Sequence, residues 1–207
     1  MSQSHEVLLP TDRVLRWWAN FEERHGATAY DVLDGGLRGT AADGSSATAT
    51  LPFDQEYAGP ADPTGLLAAV DVPAVWGVLL VRKGGFAVAT VHGNEIVESK
   101  VGQRHVQGRT KAGGQSQQRF ARRRDNQARQ AYEAAADHAA RILAPRLTSL
   151  VTGGDRPAVE AVLEDPRLVR ARDRVVGPWL PVPDPRRSVL EGAVADSCAV
   201  RIRVTNA

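Results

Sequence analysis

Apolar and polar positions along the chain change their period several times, and each change marks an element. From Pro10 to His25, Val14, Trp17, Trp18 and Phe21 recur at helical spacing, with Thr11 suited to cap the start and Gly26 to stop the helix. The tryptophans on that face are expected in a core rather than as a platform for bases. Short β-like runs follow from Ala29 to Pro52. Ala42 to Ser45 is a turn, and Ala47 to Leu51 alternates small residues with threonine like a modest strand. A Pro/Gly/Asp-rich connection, Gly59 to Pro63, leads to Asp62-Pro63, a helix start whose helix runs to about Val70 and ends before Pro73.

A different pattern begins near Pro73. Trp76 to Arg82 is a continuous apolar run that suits a buried strand, and Lys83-Gly84-Gly85 turns it back into Phe86 to His92. Gly93-Asn94 turns the chain again into a third run, Glu95 to about Val106, so that three strands form a meander. After Gln115 a long helix runs to about Ala144, where Pro145 cannot continue it. Its second half carries a core stripe of Tyr132, Ala135, Ala139, Ile142 and Leu143, whereas its first half has little apolar character beyond Phe120. Leu147 to Val151 reads as a strand, and Asp155 caps a helix with Pro157 near its start and Leu163 near its end. A short helix over Asp165 to Asp173, an extended Trp179 to Pro183, a helix over Pro185 to Ala195 and a strand over Ala199 to Val204 complete the chain. A meander followed by strand–helix alternation predicts an α/β fold of the mixed α+β kind: a mixed sheet with helices on both faces, preceded by a small α+β lobe. The expected domains are 1–72 and 73–207.

Composition is that of a globular chain, 43% apolar and 24% charged. No apolar run reaches the roughly 18 residues of a membrane span, and the first residues lack the pattern of a secretory signal. Cys198 is the only cysteine, so no intrachain disulfide forms, and a reducing cytoplasm is the expected setting. His5, His25, His92, His105 and His138 show no metal-ligand spacing, and no cofactor, metal or DNA partner is implied. Nor is any oligomer.

Charge changes the picture. Between residues 100 and 130 nine Lys or Arg face one acid, Asp125, a balance of +8 within a chain whose net charge is +2, which leaves −6 for the rest. An acidic body with one strongly basic segment fits a nucleic-acid contact confined to one face, with Arg109, Lys111, Arg119, Arg122, Arg123 and Arg124 as the candidate RNA-binding residues. A solvated helix face would have the same composition. Within this segment Gly113 and Gly114 sit at the joint between the third strand and the long helix. Adjacent glycines there admit positive φ and let backbone N–H groups approach a ligand closely. The helix N-terminus that follows favours negative charge.

The stretch Gly113 to Arg124, GGQSQQRFARRR, resembles the catalytic loop and following helix of class-1 peptide-chain release factors of the archaeal and eukaryotic type, in which Gly-Gly-Gln is followed by Ser and then by Arg-Phe and further arginines. The order of elements from about 73 to 207 is similar to that family's middle domain, a ribonuclease-H-like α/β fold. The first 70 residues do not resemble the codon-reading domain, and no third domain remains to recruit a translational GTPase. The nearer resemblance is to stand-alone release-factor-like hydrolases, including the peptidyl-tRNA hydrolase domain of eukaryotic ribosome quality control and its small bacterial relatives.

That resemblance implies ribosome-dependent peptidyl-tRNA hydrolysis, with the large ribosomal subunit and peptidyl-tRNA as partners. It implies Gly113, Gly114 and Gln115 as the catalytic residues, the Gln115 N–H as oxyanion donor and its side chain as the group that places water. Two other readings of the same segment stand beside it: a tRNA 3′-end endonuclease using the same loop, and a non-catalytic rRNA-binding module.

Overall fold

The computed structural model describes residues 4–103, 115–143 and 147–207, with the side chains of 103 and 115–128 outside that description. The elements run β1 (Ser4–Leu9), α1 (Thr11–His25), β2 (Thr28–Leu33), β3 (Gly36–Ala41), β4 (Ser46–Thr50), α2 (Pro63–Ala68), β5 (Val75–Arg82), β6 (Gly85–His92) and β7 (Glu95–Gln103). Then come α3 (Gln115–Ile142), β8 (Ser149–Gly154), α4 (Arg156–Leu163), a 3-10 turn (Pro166–Leu168), α5 (Val169–Arg172), β9 (Val175–Leu180), α6 (Arg187–Ser197) and β10 (Val200–Thr205). They form two compact units, one of residues 1–72 with 195–207 and one of residues 73–194.

In the first unit five antiparallel strands lie in the order β1-β10-β4-β3-β2. One face is apolar: Leu37, Ala41, Ala47, Ala49, Val200, Ile202 and Val204 pack with Val14, Trp18 and Phe21 of α1 and with Leu66 of α2. Their alternation along β10 and β4 is that of half-buried strands. Gly39 makes the helix–sheet contact possible, since a Cβ there would stand 2.6 Å from Cζ3 of Trp18. Asp62 caps α2 by accepting the Gly65 N–H at 2.8 Å, as its place before Pro63 predicts.

The second unit is built on a mixed sheet of order β7-β6-β5-β8-β9. The meander β5-β6-β7 is antiparallel, and β8 and β9 add in parallel. Leu79, Val81, Phe86 and Val88 face the helices α3 and α4, whose Ala135, Ala139, Ile142, Val159 and Val162 complete that core. The opposite face carries Val78, Leu80 and Ala89, also buried. Arg187, at the head of α6, donates to Ser99 Oγ, and Ser99 shares its cross-strand row with Ala89 and Val78, so helices cover both faces as expected.

Several expectations need correction. Thr11 is the first residue of α1 rather than its cap, a place taken by Pro10, and Asp155 precedes α4 without a side-chain capping bond. The strand at the C-terminus does not extend the second sheet: β10 lies between β1 and β4, because burying Val200, Ile202 and Val204 requires the first core, so 73–207 is not one unit. β1 was not anticipated, since its apolar residues Val7, Leu8 and Leu9 are only half-buried and show no clean alternation. β8 spans Ser149–Gly154 rather than Leu147 to Val151, so Gly153-Gly154 are its last residues. β9 spans Val175–Leu180, so only Trp179 and Leu180 of the extended run Trp179 to Pro183 belong to it.

Candidate functional site

The basic segment lies between β7 and α3, and what the structure fixes is the base from which it arises. β7 is the outer strand of the second sheet and pairs with β6 through Gly85↔Gln103. Phe86, on β6, joins the two elements that flank the segment. Its ring stacks on His138 of α3 with centroids 5.5 Å apart, and its edge fills the space over Gly102 of β7 that any Cβ would occupy.

Helix α3 has 28 residues, about 42 Å at 1.5 Å per residue. Its C-terminal half is seated from several sides. Ala131, Ala135, Ala136, Ala139, Ile142 and Leu143 are buried. The Thr90 hydroxyl, itself buried in the sheet, donates to the Ile142 carbonyl, which as one of the last four of the helix has no partner within it. Arg141 reaches Glu98 of β7 at 2.8 Å. Arg167 donates to Asp137 of α3 and to Asp165, each at 2.7 Å. Its two carboxylate partners, Asp165 first, raise the guanidinium pKa further above its ordinary value. The Arg167 side chain and backbone N–H hold Asp165 at about 2. On the neighbouring face burial and then the Asp155 carboxylate push the Tyr132 phenol upward. Beside this end of the helix a concavity of about 820 Å³ is lined by Leu143, Leu147, Leu168, Arg167, Arg170 and Arg174 among others.

Gln115 is the first residue of α3. Arg119, Arg122, Arg123 and Arg124 fall within the same helix, but their side chains lie outside the described residues. Arg109, Lys111, Gly113 and Gly114 lie outside them altogether. The structure therefore brings Gln115 and the four arginines onto one continuous helix. Among the described residues no three His, Cys, Asp or Glu side chains gather as metal ligands.

The charge asymmetry follows the division into units. The first unit holds twelve acidic residues against six arginines and no lysine, −6, and the second holds twenty basic residues against twelve acids, +8. The second unit's excess equals that of residues 100–130 alone, so its remaining surface is balanced.

Residues 74–203 match the family described as the Actinobacteria/chloroflexi VLRF1 release factor. The chain belongs to that family. The match spans well over half of its length, covers the whole of the second unit's sheet and takes in most of β10. No curated protein matches. The crystal structure of an archaeal translation termination factor, aRF1, is similar over 60% of this chain and 34% of that one, at 15% identity and a TM-score of 0.39. The chain thus spans about a third of that factor's length. Membership in the VLRF1 release factor family implies a ribosome-related role. No described helix is long and apolar enough to cross a membrane.

The supports of α3 escaped the sequence. Thr90 left a faint signal, a polar residue inside the apolar run FAVATV. The Asp137–Arg167 contact left none, because these two residues lie 30 apart in sequence and meet only through folding.

Proposed function

We propose that this protein hydrolyses the peptidyl-tRNA ester in the peptidyl transferase centre without reading a codon, and so frees nascent chains from stalled or split ribosomes. The observation that carries the reading is the placement of Gln115 as the first residue of a firmly seated 28-residue helix, directly after Gly113-Gly114, in a chain of the release factor family. The first N–H groups of a helix have no acceptor within it and sit at the positive end of its dipole. An N–H at 115 is therefore a donor available to an oxyanion.

Peptidyl-tRNA is an activated ester already held by the ribosome, so the added factor has two tasks. It must admit and orient one water, and it must stabilise charge as the tetrahedral centre forms. A single oxyanion donor contributes about 2.7–4 kcal/mol, or roughly 10² to 10³ in rate. Gly113 and Gly114 leave the backbone free to bring that N–H to the ester, and the Gln115 side chain selects water over larger nucleophiles. Arg109, Lys111, Arg119, Arg122, Arg123 and Arg124 supply the cations that contact rRNA phosphates.

The test is peptide release from purified ribosome–peptidyl-tRNA complexes that carry no stop codon, with the tRNA 3′-end labelled. Release with intact tRNA is the expected result. A shortened tRNA would establish nuclease action instead, and binding without either product would leave an rRNA-binding module.

A further inference from the structure

The first unit offers an open sheet edge with a defined chemistry. β2 is the last strand of the order β1-β10-β4-β3-β2, so among the described residues one row of its backbone N–H and C=O groups has no strand beside it. Its pairing with β3 runs without interruption from Thr28↔Ala41 to Leu33↔Gly36. Asp34 and Gly35, both at positive φ, close the hairpin in two residues.

Exposed edges are ordinarily blunted by lysine, proline or a bulge. β7 contains Lys100 and a register shift, and β9 contains Pro178 and a register shift. On β1 the central Glu6 is tied to Arg201 and Arg203 of its neighbour. β2 has no lysine, proline or bulge. It presents Val32 and Leu33 at 37% and 42% exposure, with Ala29 and Asp31 also exposed.

Charge selects the occupant. Asp31 and Asp34 flank the two apolar residues, Glu56 lies against Gly35, and Glu22 accepts from Tyr30 on the same strand. The one nearby cation in the hairpin is Arg38, across from Asp31. The whole unit stands at −6. A second copy pairing through its own β2 would set these acids against one another, which is unfavourable for directly opposed like charges.

We propose that the β2 edge receives an extended, basic segment of another protein as an added strand. Main-chain hydrogen bonds to β2 give the affinity, Val32 receives the partner's apolar side chains on one face, and Asp31 on the other face pairs with its Lys or Arg. The inference rests on the first unit alone and stands whether or not the chain hydrolyses peptidyl-tRNA.

The test uses the full chain with two short synthetic peptides, one alternating Arg with Val and one alternating Glu with Val. Fluorescence anisotropy reads affinity, and hydrogen exchange reads which amides become protected. The expected result is binding of the Arg peptide with slowed exchange in residues 28–33, weakened about tenfold by Asp31→Lys with Asp34→Lys and by raised salt. Val32→Lys, at an exposed position, should weaken it through the lost apolar contact and the added charge. Equal binding of the Glu peptide, protection confined to other strands, or protection of β2 by self-association without any peptide would overturn the proposal.

Discussion

In the proposed mechanism the backbone and the side chain of residue 115 carry separable tasks, and substitution can tell them apart. Gln115→Ala keeps the N–H, so partial hydrolysis should persist while control over the nucleophile loosens. Gly114→Ala restricts the backbone that delivers the N–H, and a displacement near 1 Å can cost about 10² in rate. Single-turnover release should therefore rank Gly114→Ala below Gln115→Ala. Wild-type rates for the glycine variant would remove the loop from catalysis. Asp165 makes a second residue-scale prediction. Its carboxyl is depressed from 3.8 to about 2 by Arg167. A depressed folded-state value means that the interaction is fully present above the ordinary value and lost as the pH falls through about 2. Thermal unfolding of Asp165→Asn should match its own neutral-pH behaviour in acid more closely than the wild type does over that window. The exposed setting keeps the effect small.

For the elements, α3 is the one whose seating matters most. Its C-terminal half is packed on β6, β7 and α4, so changes there should act through stability rather than contact with a ligand. Ile142→Ala, at a 2% exposed position, should cost about 2–5 kcal/mol by chemical denaturation. Thr90→Val removes the hydroxyl that satisfies the Ile142 carbonyl and should cost about 1–3 kcal/mol. The helices and the meander were legible because their signals are local: a stripe at Ala135, Ala139 and Ile142, a cap at Asp62, and glycines at the turns after Arg82 and His92. β1 and the partner of β10 were not, since neither Val7-Leu8-Leu9 nor Val200-Ile202-Val204 says which sheet its strand will join. The candidate residues could be located on the helix from Gln115 onward by their spacing. Asp137 could not be paired with Arg167 without the fold.

Across the whole molecule, the basic excess lies in one segment of one unit and the acidic excess in the other unit. Ribosome affinity should fall steeply with salt, and replacing Arg122, Arg123 and Arg124 together by alanine should lower affinity and flatten the salt dependence while far-ultraviolet circular dichroism stays unchanged. Sedimentation of the variant with ribosomes over a salt series measures both. A triple variant that binds like the wild type would place the contact elsewhere. The first unit makes its own prediction: deleting residues 199–207 removes the strand between β1 and β4, and Trp17 and Trp18 fluorescence should then report an unfolded unit.

The position of β10 also sets a timetable for synthesis. A chain emerges from its N-terminus, yet Thr50 finds its partner only in Arg201, and Leu9 only in Val200. Every residue of the second unit is translated in the interval, while α1 and the β2–β4 hairpins wait with Trp18 and Leu37 lacking the strand that closes their core. Pairings this distant in sequence are slow to form because the intervening chain must first be closed into a loop. The first unit therefore becomes whole only when translation has finished, and a chain cut short before Val200 would carry that unit incomplete.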